Sequence, residues 1–251
     1  MVAGFVSSPT AAHAQGKVIA SNDEWLTATL GSTGADDRKF LQNSLDWFGV
    51  VPGSSVLICS ENVFLTNSGF TGFLTSLGLN PVVNAAESAS NFSNYDAIFV
   101  SSNVNAALLT AYVNGGGNVF DIAGTGTMGG PVAEAAFNNA FLNNFGLGFA
   151  PTFQGVIGNV NTSAFAGQGV FGGALFNHVN SIFVNNGNDV YTTLVVGVTS
   201  EVYSAGEHGL YGVAQVQLTA TPEPASLALM ATGLLGLIPV IRRRRLKQSH
   251  N

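Results

Sequence analysis

The sequence predicts a three-layer, doubly wound α/β domain with a late antiparallel hairpin, followed by one C-terminal transmembrane helix. Three observations carry this expectation. Apolar runs of roughly four to six residues alternate with helical patterns of roughly ten to twelve, the rhythm that builds a mostly parallel sheet with helices on both faces. One run, DAIFVS at 96–101, is continuously apolar, as strands buried on both faces are. Near the C-terminus, 17 consecutive residues at 225–241 carry no charge, the lower limit for crossing a hydrocarbon core of about 30 Å.

Taken in order, Asp36 and Asp37 are placed to cap a helix over 38–48, in which Phe40, Leu41, Leu45, Trp47 and Phe48 fall near helical spacing. A β-rich run follows at 55–59. Phe70, Phe73, Leu74 and Leu77 mark a second helix, ended by Gly78, and 81–83 reads as a short strand. After the strand at 96–101 come a helix at 106–113, a glycine break at 115–117, a strand at 118–122 and a helix around 132–145. From 146 to 173 the chain reads as Gly- and Asn-rich loop. Two late strands, 193–199 and 210–218, then pair as an antiparallel hairpin at one edge of the sheet.

Composition bounds the function. The 251 residues are 46% hydrophobic and only 9% charged, so one good-sized core is possible and the surface relies on neutral polar groups, which suits an extracellular setting. The net charge of -6 hides a segregation: residues 1–224 hold 14 acidic and three basic side chains, a difference of -11, while five of the eight basic residues follow the apolar run. Such an acidic body repels phosphate backbones, which argues against nucleic-acid binding. Cys59, the lone cysteine, lies in the apolar run SVLICS and is expected to be a buried thiol. The histidines at 13, 178, 208 and 250 show no metal-ligand spacing; neither a metal nor another cofactor is expected.

The tail is the most specific stretch. Thr221, Pro222, Glu223 and Pro224 precede the uncharged run, and Arg242, Arg243, Arg244, Arg245, Leu246 and Lys247 follow it. Basic residues beside a span stay on the cytoplasmic side, so the body lies outside and the C-terminus inside. Pro239 is tolerated near the end of a membrane helix. The order Pro-Glu-Pro, apolar helix, arginine cluster resembles the PEP-CTERM sorting signal. That resemblance implies an exosortase, a membrane-embedded protease, as partner. Pro222, Glu223 and Pro224 would be the processing motif, 225–241 the span and Arg242 to Arg245 the stop-transfer cluster. It also implies a protein held at the inner membrane, then passed to the cell surface or an exopolysaccharide matrix. At the other end, Ala12-His13-Ala14 before Gln15 fits a small-x-small cleavage pattern. A positively charged start is missing and the preceding apolar stretch is short, as a residual signal peptide at 1–14 would be. The expected organisation is thus signal remnant 1–14, ectodomain 15–220 and sorting tail 221–247, with its basic cluster at 242–247.

The phrase NYDAIFVSSNVNAALLTAYVNGGGNVFDIAG resembles the middle of class I glutamine amidotransferase-like domains, a flavodoxin-like three-layer fold, and LFNHVNSIFVNNGNDV with the closing hairpin extends the likeness over roughly 50–218. The family's nucleophilic cysteine would sit on the turn after 118–122. Here that turn reads Ala123-Gly124-Thr125-Gly126-Thr127, without cysteine, and Cys59 belongs to another strand. Glu207-His208 has the wrong order for the family's His-x-Glu pair and is expected to be solvated in the hairpin loop. Asp121, Gly124, Thr125, Gly126 and Thr127 remain as a candidate ligand crevice, since open α/β sheets bind ligands beyond the carboxyl ends of their strands and glycine-rich backbone can hold an anion. Two readings stand. One is a non-catalytic surface or matrix protein with a binding or structural domain. The other is a periplasmic or extracellular hydrolase built around Asp121, Thr125, Thr127 and His178.

Overall fold

A computed structural model describes residues 15–28, 34–85, 89–101, 104–124, 126 and 128–217. Its first strand, β1 (Lys17–Ser21), has no counterpart among the sequence-derived elements because it is five residues long and runs straight into a polar loop. A short helical turn, α1 (Trp25–Ala28), follows, then α2 (Ala35–Phe48). The N-cap of α2 is Gly34, with no side-chain cap. Asp36 and Asp37 therefore do not cap the helix; they lie in its first turn, where the helix dipole favours acidic groups. Asp36 instead accepts a 2.9 Å hydrogen bond from Ser181 N–H. The helix closes on Gly49 at φ 83, the left-handed conformation that glycine enters without a Cβ penalty.

Next come β2 (Ser55–Ser60), α3 (Val63–Thr66), α4 (Ser68–Ser76), β3 (Asn80–Val83), a 3-10 stretch at 89–94, β4 (Ala97–Ser101), α5 (Ala106–Asn114) and β5 (Asn118–Ile122). Asparagine is the recurrent cap. Asn67 accepts from the N–H groups of Gly69 and Phe70, and Asn105 from those of Ala107 and Leu108, satisfying donors that have no partner inside the helix. Pro131 opens α6 (Pro131–Leu142), a position where its missing N–H costs nothing.

The stretch read as loop at 146–173 contains two strands, β6 (Leu147–Phe153) and β7 (Gly158–Asn161). After α7 (Gly172–Leu175), they pair antiparallel with β9 (Asn188–Thr192) and β8 (Ser181–Val184). These small two-stranded sheets alternate polar and glycine residues with the apolar ones, which hides them from a hydropathy reading. The closing hairpin is present but shifted: its strands are β10 (Val198–Ala205) and β11 (His208–Val216), antiparallel and at the sheet edge. Residues 193–197 form a loop instead of the first half of a strand.

Seven of these strands form the central sheet in the order β10-β11-β1-β5-β4-β2-β3. The pairings β1-β5-β4-β2-β3 are parallel, whereas β11 joins both β1 and β10 antiparallel. Helices cover both faces. On one, Phe40, Leu41 and Leu45 of α2 and Phe70 and Leu74 of α4 pack on Ile19, Ile58, Phe99 and Phe120. On the other, Leu109 and Val113 of α5 and Phe141 and Leu142 of α6 pack on Val18, Leu57, Ile98 and Val119. The alternation of side chains along each strand divides the core this way. Cys59 is buried, as a small hydrophobe in an apolar strand should be.

Residues His13–Gln217 make up one compact unit; the second, Met1–Ala12 with Leu218–Asn251, lies outside the described residues. The expected span at 225–241, the Pro222-Glu223-Pro224 motif and the arginine cluster fall there. Among the described residues, no helix is long and apolar enough to cross a membrane.

Candidate functional site

At the carboxyl ends of β1 and β5, three loops converge on one small region. The chain leaves β1 as Ser21-Asn22-Asp23-Glu24 and leaves β5 as Ala123-Gly124, and the β8–β9 turn 185–187 packs over both. Asn188 N–H donates to the Asn22 carbonyl at 3.0 Å. The approach is tight enough to demand glycine: a Cβ at Gly187 would lie 1.9 Å from the Asn22 oxygen, and one at Gly124 would lie 2.9 Å from both Asn22 O and the Gly187 Cα.

This region collects carboxylates. Asp23 is buried and accepts from Trp25 N–H at 2.7 Å and from Asn185 N–H at 2.6 Å. Burial pushes its carboxyl up to about 6, against those two hydrogen bonds. Glu24 is pushed up to about 8 by burial first, then by the charges of Asp23 and Glu134. Glu134, in the first turn of α6, is fully buried and accepts from Gly124 N–H at 2.9 Å and Gly126 N–H at 2.5 Å. It fastens the glycine loop to the helix, so those amides are already taken by a side chain of the protein.

Asp121 lies between Ala20 and Val100 in the sheet register, is 1% exposed, and is pushed up to about 8 by burial. Its Oδ1, like Glu24 Oε2, has no hydrogen-bond partner among the described residues. Of the other sequence-derived crevice residues, Gly124 and Gly126 are joined through Glu134, while Thr125 and Thr127 lie outside the described residues. His178 is exposed, in the left-handed conformation at φ 59, on the loop before β8. His208 is not in the hairpin turn but opens β11, and its Nδ1 sits 3.2 Å from Asp189. Its carboxylate partner is thus Asp189 of β9, not the adjacent Glu207.

Glu134, Asp23, Glu24 and Asp189 escaped the sequence reading. Each becomes meaningful only through the strand order, since Asp23 meets a residue 162 positions away. The one available signal was a run of three polar residues, Asn22-Asp23-Glu24, directly after an apolar stretch. No group of three or more His, Cys, Asp or Glu side chains able to hold a metal is found among the described residues.

Two clefts lie elsewhere. One of about 470 Å³ sits at the opposite, amino end of the parallel strands, lined by Gly49, Tyr95, Asp96, Tyr112, Gly116 and Asn118 among others. Another of about 310 Å³ lies at the start of α2, beside Asp36, Asp37, Asn159, Ser181 and Phe183.

Residues 220–245 match the family model of the PEP-CTERM protein-sorting motif. No curated protein and no solved structure matches the chain. The chain therefore carries an exosortase-type sorting signal, which implies export, and the α/β domain ahead of it has no matched relative.

Proposed function

We propose that this chain is an exported protein whose α/β domain is a non-catalytic binding or structural module of the cell surface or extracellular matrix, delivered there by processing of its tail. The sorting-motif match at 220–245 supports the export and processing in this reading. In it, 225–241 enters the inner membrane with Arg242 to Arg245 held on the cytoplasmic side. That orientation leaves Pro222, Glu223 and Pro224 on the outer side, within reach of a membrane-embedded exosortase. An exopolysaccharide is the matrix component that an exosortase substrate would meet.

The chemistry of the domain supports a module without catalysis. A hydrolase of amidotransferase-like fold needs a nucleophile on the turn after β5, with free backbone N–H groups to receive the oxyanion. In this chain Glu134 takes the Gly124 and Gly126 amides. The alternative, a periplasmic or extracellular hydrolase with its site in that crevice, has one observation in its favour: Asp189 orients the imidazole of His208, as a carboxylate does for a catalytic base.

Mass spectrometry of the protein from its native host, separated into membrane, periplasm and medium, tests the first reading. A C-terminus near 222–224 in the surface or medium fraction is the expected result. An intact tail in every fraction overturns it. Retention of any hydrolytic activity that His208→Ala abolishes would favour the alternative.

A further inference from the structure

The loop 193–197 contradicts its own composition. Thr193-Leu194-Val195-Val196-Gly197 reads as the start of a buried strand, yet Leu194 and Val196 are each 97% exposed. The loop is not frayed. Thr193 N–H donates to Gly146 O at 2.9 Å at one end, and Gly197 O accepts from Gln217 N–H at 2.8 Å at the other. Two aliphatic side chains are thereby held out in water on a fastened turn.

Its position gives this meaning. Gln217 is the last described residue before the tail, and β11 ends beside it at the amino end of β1, where Val216 N–H bonds Gly16 O. Only seven residues, 218–224, separate Gln217 from the uncharged run. A chain of that length reaches at most about 25 Å. The loop therefore lies beside the last described residue ahead of the uncharged run. No charged residue occurs in 190–200 or 213–217, on a body that is otherwise strongly acidic; the charged residues next to them in the register are Lys17, opposite Gln215, and Glu201, opposite Val213. The loop itself therefore brings no charged side chain to be desolvated, and no acidic one to face anionic headgroups, on entering an interface.

We propose that Leu194 and Val196 insert into the outer-leaflet interface of the inner membrane while the tail is anchored, seating the domain on the bilayer with the carboxyl ends of its parallel strands directed away from it. The proposal rests on the reading of 225–241 as a membrane segment. Two aliphatic side chains bind a bilayer weakly on their own. Tethering by the tail makes the contact intramolecular, so weak insertion suffices. Release of the tail would then free the domain, because the loop alone cannot hold it.

The test uses the full chain reconstituted into vesicles of phosphatidylethanolamine and phosphatidylglycerol. A polarity-sensitive fluorophore is attached to Leu194→Cys and, separately, to Val132→Cys, which is 67% exposed at the carboxyl end of β5. Cys59 is buried and so is protected from labelling. Flotation reports anchoring independently of the loop. The expected result is a blue-shifted emission at 194, quenched at least several-fold more than at 132 by lipids brominated near the headgroup. Flotation with water-like, unquenched emission at 194 overturns the proposal and leaves the anchor standing. A blue shift at 194 that shallow lipid quenchers do not reach also overturns it, since the loop would then pack on protein. Failure to float overturns the anchor and the proposal together.

Discussion

At the carboxyl ends of β1 and β5 the fold buries Asp23, Glu24 and Glu134 under a glycine turn, whereas at the amino ends it buries little that can ionise and lets the chain go. At that second end Lys17 lies over the Trp47 ring, 5.0 Å from its centroid, and donates to the Trp47 carbonyl. One end is thus a closed polar knot, the other a platform with a 97% exposed aliphatic loop. The contrast teaches that polar residues at the carboxyl end of an open α/β sheet need not mean an open site. Here Asp23 and Glu134 are taken up by backbone N–H groups of the converging loops, while the two most exposed aliphatic side chains among the described residues stand at the opposite end.

The strongest way to break this comparison is to force the knot open. Gly187→Ala places a Cβ 1.9 Å from the Asn22 carbonyl oxygen, and backbone, unlike a side-chain tip, cannot swing aside. The expected cost is about 3 kcal/mol or more, a fall in Tm on the order of 10 °C for a domain of this size, read by thermal unfolding. Gly155→Ala is the control. Its Cβ would meet nothing within 4 Å and only the positive φ of 85° is strained, so about 1 kcal/mol is expected.

Next in size is Glu134. Glu134→Ala strands the Gly124 and Gly126 amides, with a loss of about 2–3 kcal/mol, whereas Glu134→Gln retains one acceptor oxygen and should lose roughly half as much. Denaturant unfolding of the pair measures both. Equal losses would mean that Glu134 acts by filling space instead of by accepting these bonds.

Acidity sharpens the comparison further, because the two ends carry opposite signs. Asp121 and Glu24 are raised to about 8 and Asp23 to about 6, so the folded chain keeps protons that the unfolded chain gives up near pH 4. Stability from these groups is greatest below about pH 4, falls as pH rises through 4 to 8, and levels off above. Lys17 is lowered by burial; there the folded chain holds fewer protons, and stability rises with pH between its lowered value and 10.5. Tm should therefore decline from pH 5 to pH 8. Asp121→Asn removes one of the three acids at nearly constant volume, so it should flatten that decline, with its largest relative gain at pH 8.

How far the sequence could show all this depends on the kind of contact involved. The strands at 96–101 and 118–122 and the helices at 38–48 and 106–113 were legible because each states its burial within its own few residues, as in AIFVS. The sheet edge was legible as a hairpin but displaced, since TLVVGV looks identical whether it is covered or bare. Asp121 was legible as an acid near a strand end. Its neighbours Ala20 and Val100, which bury it, come from strands whose order no local pattern encodes. Asp23, Glu134 and Asp189 were illegible for the same reason: loops that are far apart in sequence meet only after the sheet is assembled.

The smallest expected effect is the most informative about the platform. Leu194→Ser together with Val196→Ser removes two aliphatic side chains from the protein, and in a core such a pair would cost several kcal/mol. Both are 97% exposed already, so folding buries almost none of their surface, and the backbone bonds at Thr193 and Gly197 that fix the loop are untouched. The double variant should unfold within about 0.5 kcal/mol of the parent. A slight gain is as consistent as a slight loss, since polar replacement also lowers any tendency to self-associate. If unfolding instead shifts by about 2 kcal/mol, these side chains contribute to the core. The amino end of the sheet would then be as closed as the carboxyl end.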